Sequence, residues 1–520
     1  MASRSLFAVL LLLLLSLTSV WPSALSERDP LKECKQRCHR EISDERERRM
    51  CERRCEEAAE RRGDESASIF FPERDMRKEC ERQCRREGRG RSEGWQEECC
   101  RRCVEESEER QRGRDDFIEK REGRVEQGKE NPYVWKQGEF QTKCRSEEGF
   151  SKLLPNFAEK SDLLKGLQNY RVEWIETRPN TMVVPHHKDA DSLIYVCNGK
   201  GTIGILMEDK QETFDVSKGD IMVIPAGTTG FVANTDESEN LCIFKILDSR
   251  STSPGRVESF FGIGGEDQES FFQSFSSEIL EAAFNTHKDQ LRRLFGARKR
   301  VIVKASPEQI REISRSGSKG GSHIWPFTGD SHGPYNLLDR KPWFSNRHGQ
   351  IYRADENDHS PLRHFDVTVS FANLSAGSML SPAMNSRAIK LAIVTNGSGY
   401  IEMACPHLSS QQKGEQETQG TRYRKVSAEL RPMTVFIEPA GHPSAIVAKE
   451  DLQIICFDIN ARGNHKYMLA GKNNIYSNLR GAAGELAFGV SSKECERVLG
   501  AQEEEVIVKG PKGGGSSREM

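Results

Sequence analysis

A cysteine and two histidines are the residues best suited to chemistry: Cys405-Pro406-His407 and, further on, His442. At the end of a strand, alternate positions face one side, so Cys405 and His407 can converge. His442 follows the Pro439-Ala440-Gly441 turn of the same half. A soft thiolate with imidazoles suits copper better than calcium or magnesium. The plainer reading is a buried cysteine beside ordinary surface histidines. His186 and His187 form a second pair, for which a turn role outweighs a ligand role. His359 and His364 lie near Asp358 and Asp366, where surface electrostatics accounts for them. No Ser-His-Asp set can be assigned, and Cys144 with a remote histidine makes no better case for a protease. Gly262-Ile263-Gly264-Gly265 lacks the strand-to-helix setting of a dinucleotide loop.

The elements that must hold these groups come from a chain of 520 residues, long enough for two or three domains. Arg4, the apolar run from Leu6 to Val20, and the small Ser23 and Ala24 read as a secretory signal segment over 1–24. A secretory route makes disulfides expected among the 15 cysteines, of which nine fall between Cys34 and Cys103. Residues 25–128 are dense in Glu and Arg and cannot build a large apolar core. Their cysteines repeat as Cys-x-x-x-Cys, gap, Cys-x-x-x-Cys, which places each pair on one helical face. Two helices turned back on each other are then joined by two rungs, Cys34–Cys55 with Cys38–Cys51, and Cys80–Cys103 with Cys84–Cys99. Cys100 is an alternative partner to Cys99, and a zinc site fits the spacing and compartment less well. Spacing does not set the state of Cys144, Cys197, Cys242, Cys456 and Cys495. Lys and Arg total 77 against 79 for Asp and Glu, so charge gives no case for a nucleic-acid partner.

Beyond Gly128 the chain carries one plan twice. Short β-like runs with regular turns fill both halves, at Arg171 to Ile175, Thr181 to Val184, Ser192 to Cys197, Gly201 to Met207, Asp220 to Ile224, Gly230 to Ala233 and Leu241 to Ile246, then again from Tyr352 to Phe457. This pattern predicts a sandwich or jelly-roll barrel in each half. Helical spacing of apolar residues follows each, over 273–295 with a short helix from Pro307, and around Ser491 to Leu499 flanked by Phe488 and Val490. Each arm leaves an apolar stripe that another surface must cover.

These signals resemble the vicilin-type 7S seed storage globulins of the bicupin superfamily over about 131 to 500. The residues carrying the resemblance are Asn131-Pro132-Tyr133, Pro185-His186-His187, Gly199-Lys200-Gly201, Gly219-Asp220, Pro225-Ala226-Gly227 and Gly333-Pro334-Tyr335-Asn336-Leu337. The resemblance implies a mainly β chain: two tandem cupin (jelly-roll) barrels at 129–315 and 325–500, each with a helical arm. Disulfide-stapled helical hairpins precede them, and a disordered tail over 501–520 follows. It also implies a homotrimer in which one subunit's arm packs on a neighbour, deposition through the secretory pathway in the protein storage vacuole of seed, and proteolysis at germination. Released amino-terminal hairpins would act on a microbial membrane or a protease, and IgE is an implied partner of any food-allergen member.

In an enzymatic cupin, His-x-His, a following Glu and a later His hold one metal. Counting from the glycines puts Pro185, His187, Ser192 and Gly230 at those positions, and Ala383, Asn385, Lys390 and Ser444 in the second half. Only His187 is an ordinary ligand, so the resemblance implies storage without turnover and without a required cofactor. Some relatives are similar in binding copper through a different set, which maps here to Cys405, His407, His442 and Tyr133. Asn373-Leu374-Ser375 and Asn396-Gly397-Ser398 are glycosylation sequons, so Asn373 and Asn396 are candidate acceptors. A hairpin-peptide precursor and a small-ligand-binding cupin are the competing readings.

Overall fold

A computed structural model describes Cys99 and residues 131–511, apart from 209, 265–267, 297–299, 317, 320–332 and 408–422. The chain divides into two compact units, Met1–Glu126 and Gln127–Met520. In the first, Cys99 is helical and disulfide-bonded. The rest of the expected signal segment and hairpin extension, with Cys34, Cys38, Cys51, Cys55, Cys80, Cys84, Cys100 and Cys103, lies outside the described residues.

The second unit holds two halves with matching strand orders. One first-half sheet runs Tyr335–Asn336, Asp220–Ile224, Ala190–Asn198, Leu241–Ser249, Tyr170–Thr177, Gly149–Leu153, Gln141–Ser146. Its second-half counterpart runs Val134–Trp135, Val435–Glu438, Ile389–Asn396, Leu452–Ile459, Val367–Leu374, Gly349–Ala354, Phe344–Asn346. Each faces a further sheet. In the first half that sheet is built on Thr181–Lys188, Gly230–Asn234, Lys200–Leu206 and Gln211–Ser217; in the second, on Ser378–Asn385, Ser444–Ala448, Gly399–Cys405 and Arg424–Leu430.

The expected closed jelly-roll barrels do not form. Among the described residues every hydrogen-bonded ladder is open, and no sheet closes on itself. Closure would need strand-to-strand bonding all round the perimeter. Instead the chain leaves one sheet for its partner at tight glycine turns. Gly199 (φ 80°) lies between Ala190–Asn198 and Lys200–Leu206, and Gly397 (φ 78°) lies between Ile389–Asn396 and Gly399–Cys405. A Cβ at these points would sit 2.5 Å from the Asn240 carbonyl oxygen and 1.8 Å from that of Asp451. Only glycine tolerates both the approach and the backbone angle.

Apolar side chains from both sheets fill each half. Ile175, Ile194, Ile203, Phe214, Val232 and Ile243 share the first core; Leu374, Ala392, Ile401, Phe436, Ile446 and Ile454 share the second. The central strands are buried on both faces, which explains continuous runs such as Leu193-Ile194-Tyr195-Val196 rather than strict alternation. Across the halves, the Tyr195 ring lies 6.4 Å from that of Phe371. A disulfide, Cys197–Cys242, ties the ends of two neighbouring strands in the first half.

Two short strands cross between the halves. Val134–Trp135, ahead of the first half, pairs with Val435–Glu438 of the second. Tyr335–Asn336, ahead of the second, pairs with Asp220–Ile224 of the first. Trp135 is fully buried, with its ring 5.0 Å from that of Phe157 and Lys160 Nζ 4.8 Å above it.

The expected arms form as helix pairs, Ser277–Phe284 with Lys288–Phe295 and Ala482–Phe488 with Ser492–Leu499. The helix over Ala482–Phe488 extends the second arm beyond what periodicity showed. After each pair a strap strand returns to the sheet: Ile302–Lys304 onto Thr181–Lys188, and Ile507–Lys509 onto Ser378–Asn385. The expected disordered tail is therefore ordered over Ile507–Lys509; residues 512–520 lie outside the described residues.

Candidate functional site

The first half brings His187, Ser192 and Gly230 to one cavity of about 40 Å³, together with His186, Lys188 and Lys245. Of the four counted positions, His187, Ser192 and Gly230 line this cavity and Pro185 does not. His186 and His187 are not turn residues, because both lie within the strand Thr181–Lys188. A bulge opposes Val184 and Pro185 to Phe231 alone, which accommodates a proline without an amide donor. The same irregularity surrounds Pro382 in the second half. The His187 ring stacks on Phe260 and the His186 ring on Phe261, each at 5.0 Å.

An ion cluster lies beside the cavity. Glu173 accepts from Lys188 Nζ at 3.1 Å and from Ser151 Oγ at 2.7 Å, and Lys245 Nζ is 3.8 Å from its other oxygen. Burial favours the neutral acid, but Lys188 and Lys245 outweigh it and hold the Glu173 carboxyl at about 2. Burial pushes Lys245 down to about 8 against the pull of Glu173. Burial, reinforced by the two lysines, pushes His186 down to about 3, so it is neutral near neutral pH. A cavity of about 40 Å³ has room for water or a small ion.

The second half replaces the expected ligand positions with a longer network. Lys390 Nζ donates to Glu438 at 3.2 Å, Ser444 Oγ donates to the same carboxylate at 2.9 Å, and Asn385 Nδ2 donates to Asp458 at 3.2 Å. Burial opposes the Lys390 charge, yet Glu438 and Asp458 raise its pKa. Ala383 pairs with Ser444 and supplies no donor. A cation salt-bridged where a carboxylate would ligate cannot hold a metal. Among the described residues no group of three or more His, Cys, Asp or Glu could hold a metal ion.

The residues of the other constellation are neighbours, but as they stand Cys405, His407 and His442 are not drawn into a metal-holding cluster. Tyr133 Oη lies 3.4 Å from Cys405 Sγ, and the His442 ring lies 6.3 Å from Tyr133 and 5.1 Å from His407. Cys405 is fully buried, and His442 Nε2 is buried without a hydrogen-bond partner. Its Nδ1 is 3.0 Å from the Ala440 carbonyl oxygen, and burial, reinforced by His407, lowers its pKa. Asn396 is exposed at the Gly397 turn, whereas Asn373 is half-buried between Gln350 and Gln453 in the ladder.

The sequence reading missed Glu173, Lys188 and Lys245. Their signal was available: charged residues inside strands otherwise reading as core. Glu173 has an ordinary value of 4.5 and sits at about 2 when folded, so its stabilisation is complete above about pH 4.5 and is lost as pH falls towards 2. Glu173→Gln should cost roughly 3–5 kcal/mol at neutral pH by stranding two buried lysines. It should also flatten the acid limb in that window. Denaturant unfolding across pH reads both; an acid limb unchanged in the variant would contradict the assignment.

The cupin family model matches residues 160–292 and 335–496. A vicilin of Juglans regia, Jug r 6.0101, is 41% identical over 527 residues, covering 98% of each chain. The crystal structure of vicilin from Corylus avellana superposes with a TM-score of 0.68 at 45% identity, covering 73% of this chain and 100% of that one. A vicilin from Solanum melongena, described with different anionic ligands in structurally similar pockets, superposes with a TM-score of 0.69 at 34% identity, covering 74% and 100%. Similarity across nearly the whole chain makes this chain a member of the vicilin-type seed storage globulins with tandem cupin domains.

Proposed function

We propose that the protein is laid down through the secretory pathway in seed storage vacuoles as a ring of three copies and digested at germination. The observation that carries this reading is the uncovered apolar surface of both arms. Phe275, Ile279, Phe284 and Leu294 are exposed on the first; Leu486, Phe488, Val490 and Val498 are exposed on the second. A groove of about 380 Å³ lined by Phe272, Phe275, Leu280, Leu291 and Phe295 opens on the first arm. A ridge on one copy's second arm filling the groove on the next copy's first arm is a head-to-tail contact, which closes when three copies complete a ring. Patches of this kind on a secreted protein are otherwise an aggregation hazard. Release of the amino-terminal hairpins as antimicrobial or protease-inhibiting peptides is a secondary role of the same precursor.

Native mass measurement of the full chain should give three copies. Leu486→Glu with Val498→Glu should give monomers with unchanged secondary structure. A monomeric parent protein would overturn the reading. Enzymatic deglycosylation followed by the same measurement reads glycan loss, which we assign to exposed Asn396 ahead of half-buried Asn373.

Copper is a further proposed ligand, favoured by the buried, unpartnered His442 Nε2 beside Cys405 and Tyr133. Together with His407 these supply a thiolate, two imidazoles and a phenol, a donor set suited to copper. Copper loading followed by metal analysis should find about one ion per chain, abolished in the Cys405→Ala, His407→Ala double variant. Equal binding by that variant would reject the set. In the first half, the excess of two lysines over one carboxylate favours a small anion over the sugar-sized ligand of other cupin readings.

A further inference from the structure

The two straps have the same sequence. Val301-Ile302-Val303-Lys304 closes the first half and Val506-Ile507-Val508-Lys509 closes the second. Their receiving strands are nearly the same too. Ile302, Val303 and Lys304 pair with Val183, Met182 and Thr181; Ile507, Val508 and Lys509 pair with Leu380, Met379 and Ser378. Even the clasp that covers each strap is matched. Ser146 Oγ donates to the Ile302 carbonyl oxygen at 3.3 Å, and Asn346 Nδ2 donates to that of Ile507 at 2.7 Å. Val301, Ile302, Val506, Ile507 and Val508 are all buried, so each strap seals a core. Neither the ladder nor the apolar contacts can tell one strap from the other.

The charges around them differ in sign. In the first half the clasp reads Ser146-Glu147-Glu148-Gly149, and the sequence ahead of the strap reads Arg298-Lys299-Arg300. In the second the clasp reads Asn346-Arg347-His348-Gly349, and the residues ahead of the strap are Glu503-Glu504-Glu505. Lys304 Nζ lies 3.7 Å from Glu148. Glu504 takes Arg347 Nη2 at 2.8 Å and His348 Nε2 at 2.9 Å, and Ser378 Oγ is 3.3 Å from His348 Nδ1 on the receiving strand. Closing the first half with the second strap would bring Glu503-Glu504-Glu505 to the acidic clasp of Glu147 and Glu148 in place of Arg347 and His348.

We infer that the acidic flank of the second strap and the basic clasp it meets, rather than the strap strand itself, direct that strap to the second half, within one chain and between neighbouring copies. Such half-exposed pairs add little stability singly. Their value is in raising the wrong pairing, as repulsive elements do in other specific contacts. An interchangeable strand on a hinged arm would otherwise allow exchange between halves or copies.

The test uses the full chain and a short thiol-to-thiol crosslinker, with products identified by peptide mass. Met379→Cys with Val508→Cys reports correct closure. Met182→Cys with Val508→Cys reports closure on the wrong half, in the same chain or another. With native flanks, the correct product should dominate. Flank reversal by Glu503→Arg, Glu504→Lys and Glu505→Arg should lower the ratio of correct to wrong product by about tenfold, equivalent to about 1.4 kcal/mol. Adding Arg347→Glu and His348→Glu should restore it. An unchanged ratio after flank reversal would overturn the proposal, as would a loss that the combined variant does not restore.

Discussion

Trp135 sits at the junction on which the rest of the second unit depends. Its backbone pairs with Val435 in the second half, while its ring packs on Phe157 and under Lys160 in the first. The Tyr133 carbonyl oxygen extends the contact by accepting from the Ile437 amide at 2.9 Å. Tyr335–Asn336 makes the reverse crossing, with Asn336 Nδ2 donating to the Lys218 carbonyl oxygen at 3.0 Å. Each half thereby supplies an edge strand to the other, and two exposed strand edges are covered at once. The Tyr195 ring of the first half also lies 6.4 Å from the Phe371 ring of the second.

That arrangement removes any demand for a catalytic interior. Where an enzymatic cupin would spend its central polar positions on a metal, this chain neutralises them against one another. Glu173 offsets part of the charge of Lys188 and Lys245; Glu438 and Asp458 face Lys390. Buried ion clusters of this kind contribute little net stability, but losing a single member is expensive. Exposed apolar surface lies instead on the arms, at Phe275, Ile279 and Leu294 and at Leu486 and Val498.

The internal duplication, both arms and most strand positions were legible because periodicity and glycine turns are local signals. The register of His187, Ser192 and Gly230 was legible for the same reason: Gly199 and Pro225 anchor the count. Strand behaviour at Pro185 was not, since proline argues for a turn until the bulge opposite Phe231 is seen. The closed barrels expected from the family resemblance gave way to open ladders because sheet closure is a property of strand pairing, which no single strand encodes. The Cys197–Cys242 bridge and the crossing of Val134–Trp135 join residues distant in sequence and leave no periodic trace. The straps were readable in principle, since Val-Ile-Val-Lys occurs twice, but the second copy lay in a polar tail that composition marked as disordered.

Native-state hydrogen exchange on full-length Trp135→Ala tests the central claim most directly. Truncating this buried aromatic should cost roughly 3–5 kcal/mol. The account requires the lost protection to appear in both halves, at Val435–Glu438 as well as around Phe157–Lys160. Faster exchange confined to the first half, with Val435–Glu438 unchanged, would contradict it.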